Sequence, residues 1–360
     1  MHLLINTGGG DAPGLNAVIR AVTLSAVRRG FRVTGIRRGY SGLLEGESGL
    51  LRLDRDMVRG IIDRGGTILG TVNRGQPFEC PVRGTDGTVT VTDLSDRVMD
   101  AFRALGADGL IALGGDGSLR IAARFREKGM PVLVVPKTID NDLGGTEATF
   151  GFDSAMSFAT DAITRLHSTA EAHGRVMVVE LMGRYAGWLA LHAGLAGAAH
   201  AILIPELDFD WDVLARALVH RRDTGRPFAV VVVAEGAKPN GADRVVARQE
   251  TSKEPTLGGI GALVAERIAE RTGFETRSLV LGHLQRGGAP TPTDRLLSLR
   301  YGAEAVRLAA AGQWGRMVSW QPPRMTSITL DDALAQTHVV PLDDDAIATA
   351  RDFGVCLDDA

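Results

Sequence analysis

Short apolar runs along the chain alternate with glycine-rich or polar turns and with longer stretches at helical spacing. Runs at 3–7, 31–36, 109–113, 131–135, 176–181, 201–204, 228–234, 279–281 and 317–320 read as strands. Helical spacing predicts helices at 16–29, 52–62, 98–105, from Ser118 to about 128, and at 154–167, 259–271 and 294–311, with a short one at 330–335. Residues 77–95 are turn-rich, with an exposed strand at 88–91. Residues 237–257, polar with scattered Gly and Pro, read as a mobile loop, and the chain closes on an acidic tail.

Strands alternating with helices predict an α/β fold whose parallel sheets are covered on both faces. Such sheets bind ligands at the carboxyl ends of their strands. The polar, glycine-rich segments all fall just after predicted strands: 8–11, 114–118, 137–142, Gly183 with Arg184, Glu235, and His283. That coincidence across six strands points to one functional edge.

Composition changes the picture little. The formal net charge of -3 argues against a nucleic-acid or membrane-surface binder. Residues 186–204 are uncharged for about the length of a membrane span, but their Gly, Ala and His content predicts a buried helix running into a strand. Cys80 and Cys356 lack metal-ligand spacing and fit a reduced compartment. The chain opens directly into a strand without a leader pattern, so a cytoplasmic location is expected.

The sharpest chemistry lies in Pro136-Lys137-Thr138-Ile139-Asp140-Asn141-Asp142. Two carboxylates at i and i+2, with a hydroxyl and an ammonium just before them, supply a base, a second acid, a donor and a point charge for phosphate. A polar turn after a strand is the alternative reading. In Gly114-Gly115-Asp116-Gly117-Ser118, Asp116 suits Mg²⁺, which prefers one or two carboxylates plus substrate phosphates; a helix cap is the alternative. The loop 8–14 opens a helix and exposes backbone N–H groups to phosphate, yet it is neither a Walker A motif nor a proper Gly-x-Gly-x-x-Gly. Arg175, Arg184, Arg277 and Arg286 are candidates for anionic groups.

Taken in order, Gly9-Gly10-Asp11-Ala12-Pro13-Gly14-Leu15-Asn16, the Gly114–Ser118 and Pro136–Asp142 elements, Met182-Gly183-Arg184 and Gly282-His283-Leu284-Gln285-Arg286-Gly287-Gly288 resemble the 6-phosphofructokinase family from about residue 3 to 312. The resemblance implies two doubly wound domains with the active site in the cleft between them. One comprises 1–150 plus about 285–335 and takes the phosphoryl donor. The other comprises 151–284 plus about 336–360 and takes the sugar phosphate. It implies Mg²⁺ and transfer of the terminal phosphoryl group of ATP to the 1-hydroxyl of fructose 6-phosphate.

By the same resemblance, Asp140 is the base, Asp142 and Thr138 orient the sugar, and Arg184 sits beside the transferred group. Asp116 holds the metal, with Gly10, Gly115, Gly117 and Ser118 along the donor phosphates. Tyr40 and Arg74 lie on the nucleotide side. Met182, Gly183, Glu235 and His283 are sugar contacts. Arg286 contacts the 6-phosphate, and Arg175 and Arg277 reach it from a neighbouring subunit, so a homodimer or homotetramer is implied.

Donor choice pulls two ways. In the resembled family, Gly at 117 suits ATP and Asp there accompanies pyrophosphate, whereas Lys137 is typical of the pyrophosphate enzymes. The pair resembles a mixed subgroup that mostly uses ATP, and the reading taken is ATP, because a steric block is harder to evade than an added charge. Leu24, His167, His200 and Pro227 occupy places where allosteric members carry charged effector contacts, while Arg20 and Arg55 remain; loss of the ADP and phosphoenolpyruvate switch is expected. Rival readings are a pyrophosphate enzyme, a kinase for a related phosphosugar such as sedoheptulose 7-phosphate, and a non-catalytic nucleotide sensor. NAD kinases and lipid kinases share Gly-Gly-Asp-Gly but lack the 138–142 and 282–288 elements. The misplaced third glycine disfavours a dehydrogenase.

Overall fold

The computed structural model describes residues 1–72, 77–83, 87–248 and 256–357. In chain order these form β1 (His2–Thr7), α1 (Leu15–Arg28), β2 (Arg32–Ile36), α2 (Ser41–Leu44), β3 (Leu50–Leu53), β4 (Cys80–Arg83), β5 (Val89–Thr92), α3 (Ser95–Ala104), β6 (Gly109–Gly114), α4 (Asp116–Glu127) and β7 (Val132–Pro136). Next come α5 (Phe152–His173), β8 (Val176–Leu181), α6 (Trp188–Ala196), β9 (Ala201–Leu203), α7 (Trp211–Asp223), β10 (Ala229–Ala234), β11 (Val246–Arg248), β12 (Thr256–Leu257), α8 (Ile260–Thr272) and β13 (Thr276–Val280). The chain ends with α9 (Pro292–Ala310), β14 (Arg316–Gln321), β15 (Arg324–Thr329), α10 (Leu330–Leu334) and α11 (Asp345–Asp352).

Two compact units result: 1–139, 143–153 and 286–337 form one, and 140–142, 154–285 and 338–360 the other. The first carries a seven-stranded sheet in the order β15-β14-β7-β6-β1-β2-β3. Its five central strands are parallel, and the edge strands β3 and β15 run antiparallel to their neighbours. Strand alternation sorts the core to both faces. Leu3, Ile5, Ile111, Leu113, Leu133 and Val135 face α1 and α9. Leu4, Leu110, Ala112, Val132 and Val134 face α3, α4 and α10. The second unit carries the parallel sheet β13-β8-β10-β9, with Val176, Val178, Val231 and Val233 packed against α7 and α8.

Three sequence expectations need correction. The stretch 52–62 is not a helix: Leu50–Leu53 pairs with β2, and Asp54 Oδ1 accepts from the Asp56 and Met57 N–H groups to start a turn. The acidic tail contains α11, capped by Asp344, which accepts from the Ala346 N–H, and anchored by buried Ile347 and Ala350. The helix predicted at 154–167 runs from Phe152 to His173. The uncharged segment 186–204 does form buried α6 followed by β9. Of the loop expected at 237–257, residues 249–255 lie outside the described residues, as does Arg74. Among the described residues, no helix is long and apolar enough to cross a membrane.

Candidate active site

In the first unit the carboxyl ends of β1, β6 and β7 deliver the glycine loop, Asp116 and Lys137. These three strands are hydrogen-bonded neighbours, so their ends lie side by side. Ser118, in the first turn of α4, packs back over two glycines: a Cβ at Gly114 would meet its Oγ at 2.1 Å, and one at Gly8 would meet it at 2.7 Å. The glycines therefore let α4 start directly on the strand ends, where the N–H groups of its first turn have no acceptor within the helix. Asp116 is the first residue of α4, half-exposed, and its Oδ2 accepts from Arg120 Nε at 2.9 Å. Lys137 is buried, and a Cβ at Gly9 would lie 3.5 Å from its Nζ. Arg286 also reaches this loop, donating from Nη1 to the Asp11 carbonyl at 3.1 Å. Around Gly117 the space is open among the described residues, since a Cβ there would meet nothing within 4 Å apart from its chain neighbours and its own helix backbone.

Thr138 is buried, and its carbonyl accepts from Thr149 Oγ1 at 2.8 Å. Tyr40 is buried too, its ring stacked on Phe125 at 4.8 Å. Burial raises the phenol's pKa far above its ordinary value, opposed only in part by the polar Asn6 side chain nearby. This is a packing environment.

In the second unit Asp140 and Asp142 are half-buried, and Asn141 between them is buried with φ 53, a left-handed conformation uncommon outside glycine. At the carboxyl ends of β8 and β10, the Glu235 N–H donates to the Leu181 carbonyl at 2.8 Å and the Gly236 N–H to the Gly183 carbonyl at 3.1 Å. Gly236 is required there, because a Cβ would come within 2.1 Å of the Arg184 carbonyl oxygen. Met182, Gly183, Arg184 and Glu235 are thus locked into one group. His283 is exposed in a short helical turn after β13.

Arg175 and Arg277 lie elsewhere. Arg175 precedes β8, and Arg277 pairs in register with Met177 near the amino end of the same sheet. The Glu275 carboxylate gathers them, forming an ion pair with Arg175 Nε at 2.8 Å and accepting from Arg277 Nη2 at 2.5 Å. The bond from Arg175 holds Glu275 below the usual carboxylate range.

Sequence reasoning missed three carboxylate or imidazole anchors in this unit. Buried Glu180 accepts from the Gly261 N–H at 2.8 Å and from the Gly259 N–H at 3.2 and 3.1 Å, fixing the start of α8. Glu206 accepts from the Gly187 and Val340 N–H groups, both at 2.9 Å; burial raises its pKa. His338 contacts the backbone of Asn141 and Asp142. The expected effector-site histidines are engaged in packing: His167 Nε2 donates to the Gly197 carbonyl at 2.8 Å, and His200 stands edge-on to it at 5.3 Å.

Among the described residues, no group of three His, Cys, Asp or Glu could hold a metal ion. A single carboxylate such as Asp116 beside a glycine-rich loop is compatible with Mg²⁺, a cation that commonly takes one or two carboxylates and completes its shell with phosphate oxygens and water.

The profile described as phosphofructokinase matches residues 2–309. The chain belongs to the phosphofructokinase family. It is 48% identical over 98% of its length to the ATP-dependent 6-phosphofructokinase of Chloroflexus aurantiacus, covering 96% of that protein. It is also 45% identical over 95% of its length to the pyrophosphate--fructose 6-phosphate 1-phosphotransferase of Amycolatopsis mediterranei, covering 97% of it. Among solved structures, Pichia pastoris phosphofructokinase in the T-state superposes with a TM-score of 0.80 at 31% identity, over 93% of this chain and 35% of that one. This phosphofructokinase chain therefore spans about a third of the length of the Pichia chain and nearly all of its curated bacterial relatives.

Proposed function

We propose that this chain is an ATP-dependent 6-phosphofructokinase, which moves the terminal phosphoryl group of ATP to the 1-hydroxyl of fructose 6-phosphate and releases fructose 1,6-bisphosphate and ADP, a glycolytic step. The observation that carries the reading is the turn at Asp140–Asp142. Its central residue is held at φ 53 between two half-buried carboxylates. Backbone kept in a sparsely populated conformation is a mark of a preorganised site.

In this mechanism Asp140 takes the proton from the 1-hydroxyl as the oxygen attacks. General-base help of this kind contributes about 10²–10⁴-fold in rate. Asp142 and Thr138 orient the sugar, and Met182, Gly183, Glu235 and His283 complete its contacts. Arg184 balances charge on the transferred group, where an arginine is worth on the order of 10³-fold. Gly10, Gly115, Gly117 and Ser118 leave the α4 N-terminus open to the donor phosphates, Lys137 adds a fixed positive charge, and Tyr40 and Arg74 are assigned to the nucleotide side by the family resemblance alone. Asp116 would hold Mg²⁺, which supplies positive charge to the donor phosphates when bound. The first unit is the donor-binding part and the second the sugar-phosphate part.

Arg175 and Arg277 support the oligomer reading. The six residues of β8 separate Arg175 from the Arg184 loop, a distance of about 20 Å at roughly 3.3 Å per residue. Neither can serve the sugar site of its own chain from the amino end of the sheet. In a homodimer or homotetramer they serve a neighbour's 6-phosphate. Two free cysteines accord with the cytoplasm.

A pyrophosphate donor is the second reading, favoured by Lys137 beside Gly9 and by the likeness to the Amycolatopsis protein. ATP is preferred because the space at Gly117 is open. The test of the base is Asp140→Ser: turnover should fall by about 10²–10⁴-fold with the melting temperature little changed. A near-normal rate would remove Asp140 from that role.

A further inference from the structure

Residues 338–340 form a strap stitched to two parts of the second unit that carry the chemistry. His338 Nδ1 lies 2.7 Å from the Asn141 carbonyl oxygen, and the His338 N–H donates to the Asp142 carbonyl at 3.0 Å. A carbonyl can only accept, so Nδ1 carries the proton. On its other side the strap reaches the segment just after Arg184. Trp188 Nε1 donates to the His338 carbonyl at 3.0 Å, and the indole stacks on the imidazole at 4.8 Å and 28°. Glu206 ties the Val340 N–H to the Gly187 N–H. His338 lies beyond residues 2–309, the span that the family profile matches.

We propose that His338 is a positioning residue: its Nδ1–H and backbone N–H hold the 140–142 turn in the left-handed conformation that aims the Asp140 carboxylate at the sugar hydroxyl. The inference rests on Asp140 being the base. Two adjacent carbonyls of one turn are gripped by one residue, which fixes the peptide planes on either side of Asp142; the first of these is also the plane that leaves Asn141, so the left-handed residue next to Asp140 is held at its carbonyl side. Stacking on Trp188 fixes the imidazole in turn. The turn and the segment following Arg184 therefore share one anchor. A base misplaced by about 1 Å costs on the order of 10²-fold in rate.

The test is steady-state kinetics with fructose 6-phosphate and ATP on the full chain. The variants are His338→Phe, His338→Asn, His338→Gln, Asp140→Ser and the Asp140→Ser/His338→Phe double variant. Phe keeps the stacking and loses the donor, so kcat should fall by about 10–100-fold while KM for ATP holds. Asn carries an amide N–H at the Nδ1 position and should recover most of the rate. Gln, whose amide sits one bond further out, should not; the Asn–Gln contrast carries the test if His338→Phe fails to fold. In the Asp140→Ser background, adding His338→Phe should change kcat by less than about 2-fold, because residues acting through one another are not additive.

Wild-type kcat in His338→Phe would overturn the proposal, as would equal losses in Asn and Gln. So would the same fold-loss with and without the Asp140 carboxylate. Full activity in Asp140→Ser would instead show that the underlying assignment of the base is at fault.

Discussion

The Arg286 guanidinium stands where a side chain at residue 10 would go: a Cβ on Gly10 would come within 2.8 Å of its Nη1. The same nitrogen donates to the next residue's carbonyl, that of Asp11. Glycine at position 10 thus leaves room for a fixed positive charge on the loop that opens α1. Gly10→Ala should displace Arg286 and lower kcat/KM by about 10–100-fold, with a small change in melting temperature. Steady-state kinetics on the purified variant decides it; wild-type constants would mean that the loop accommodates the methyl group without moving the arginine.

Gly117 offers the contrasting case, because, among the described residues, nothing beyond its chain neighbours and its own helix backbone lies within 4 Å of where its Cβ would be. Gly117→Asp should fold normally, since an acidic residue suits the first turn of a helix. The added carboxylate would repel donor phosphates and raise KM for ATP by about 10-fold or more. The check is a pair of ATP titrations together with a thermal melt. An unchanged KM would show that position 117 does not face the nucleotide.

His200 predicts a pH effect on stability. Its pKa is lowered to about 3, first by burial and then by Arg221, His167 and Arg226. Its Nδ1 accepts from the Val230 N–H at 2.9 Å. An unfolded histidine titrates near about 6.5, so between these values the unfolded chain binds the extra proton. Stability from this group is therefore complete above about pH 6.5 and is lost as pH falls toward 3. His200→Asn keeps an acceptor and cannot ionise. Its melting temperature should fall less than that of the wild type between pH 7.5 and 5; parallel slopes would contradict the assignment.

The central strands were legible because each is an apolar run buried on both faces, as in β1, β6 and β10. The edges were not. Val58, Ile61 and Ile62 mimic helical spacing, yet the pairing of Leu50–Leu53 with β2 decides the local structure. Strand β15 is half-exposed from Met325 to Thr329 and has no apolar signature. Helix α11 has only Ile347 and Ala350 as buried anchors, too few to stand out from an acidic tail.

The same limit applies to the site. The loops at 8–14, 114–118, 137–142 and 182–184 announced themselves by residue type at strand ends. His338 and Glu206 gave no local sign, because their partners Asn141 and Val340 lie 197 and 134 residues away in sequence. Arg175 and Arg277 stood out in the sequence only as two of several candidate anion contacts, and their placement on Glu275 at the amino end of the sheet became visible only in three dimensions.

The most direct test of the proposed reaction is the initial rate with fructose 6-phosphate and Mg²⁺, measured in parallel with ATP and with pyrophosphate. Fructose 1,6-bisphosphate should form with ATP, and little or none with pyrophosphate. Turnover with pyrophosphate alone would mean that Lys137 outweighs the open space at Gly117, and turnover with neither donor would contradict the reaction itself.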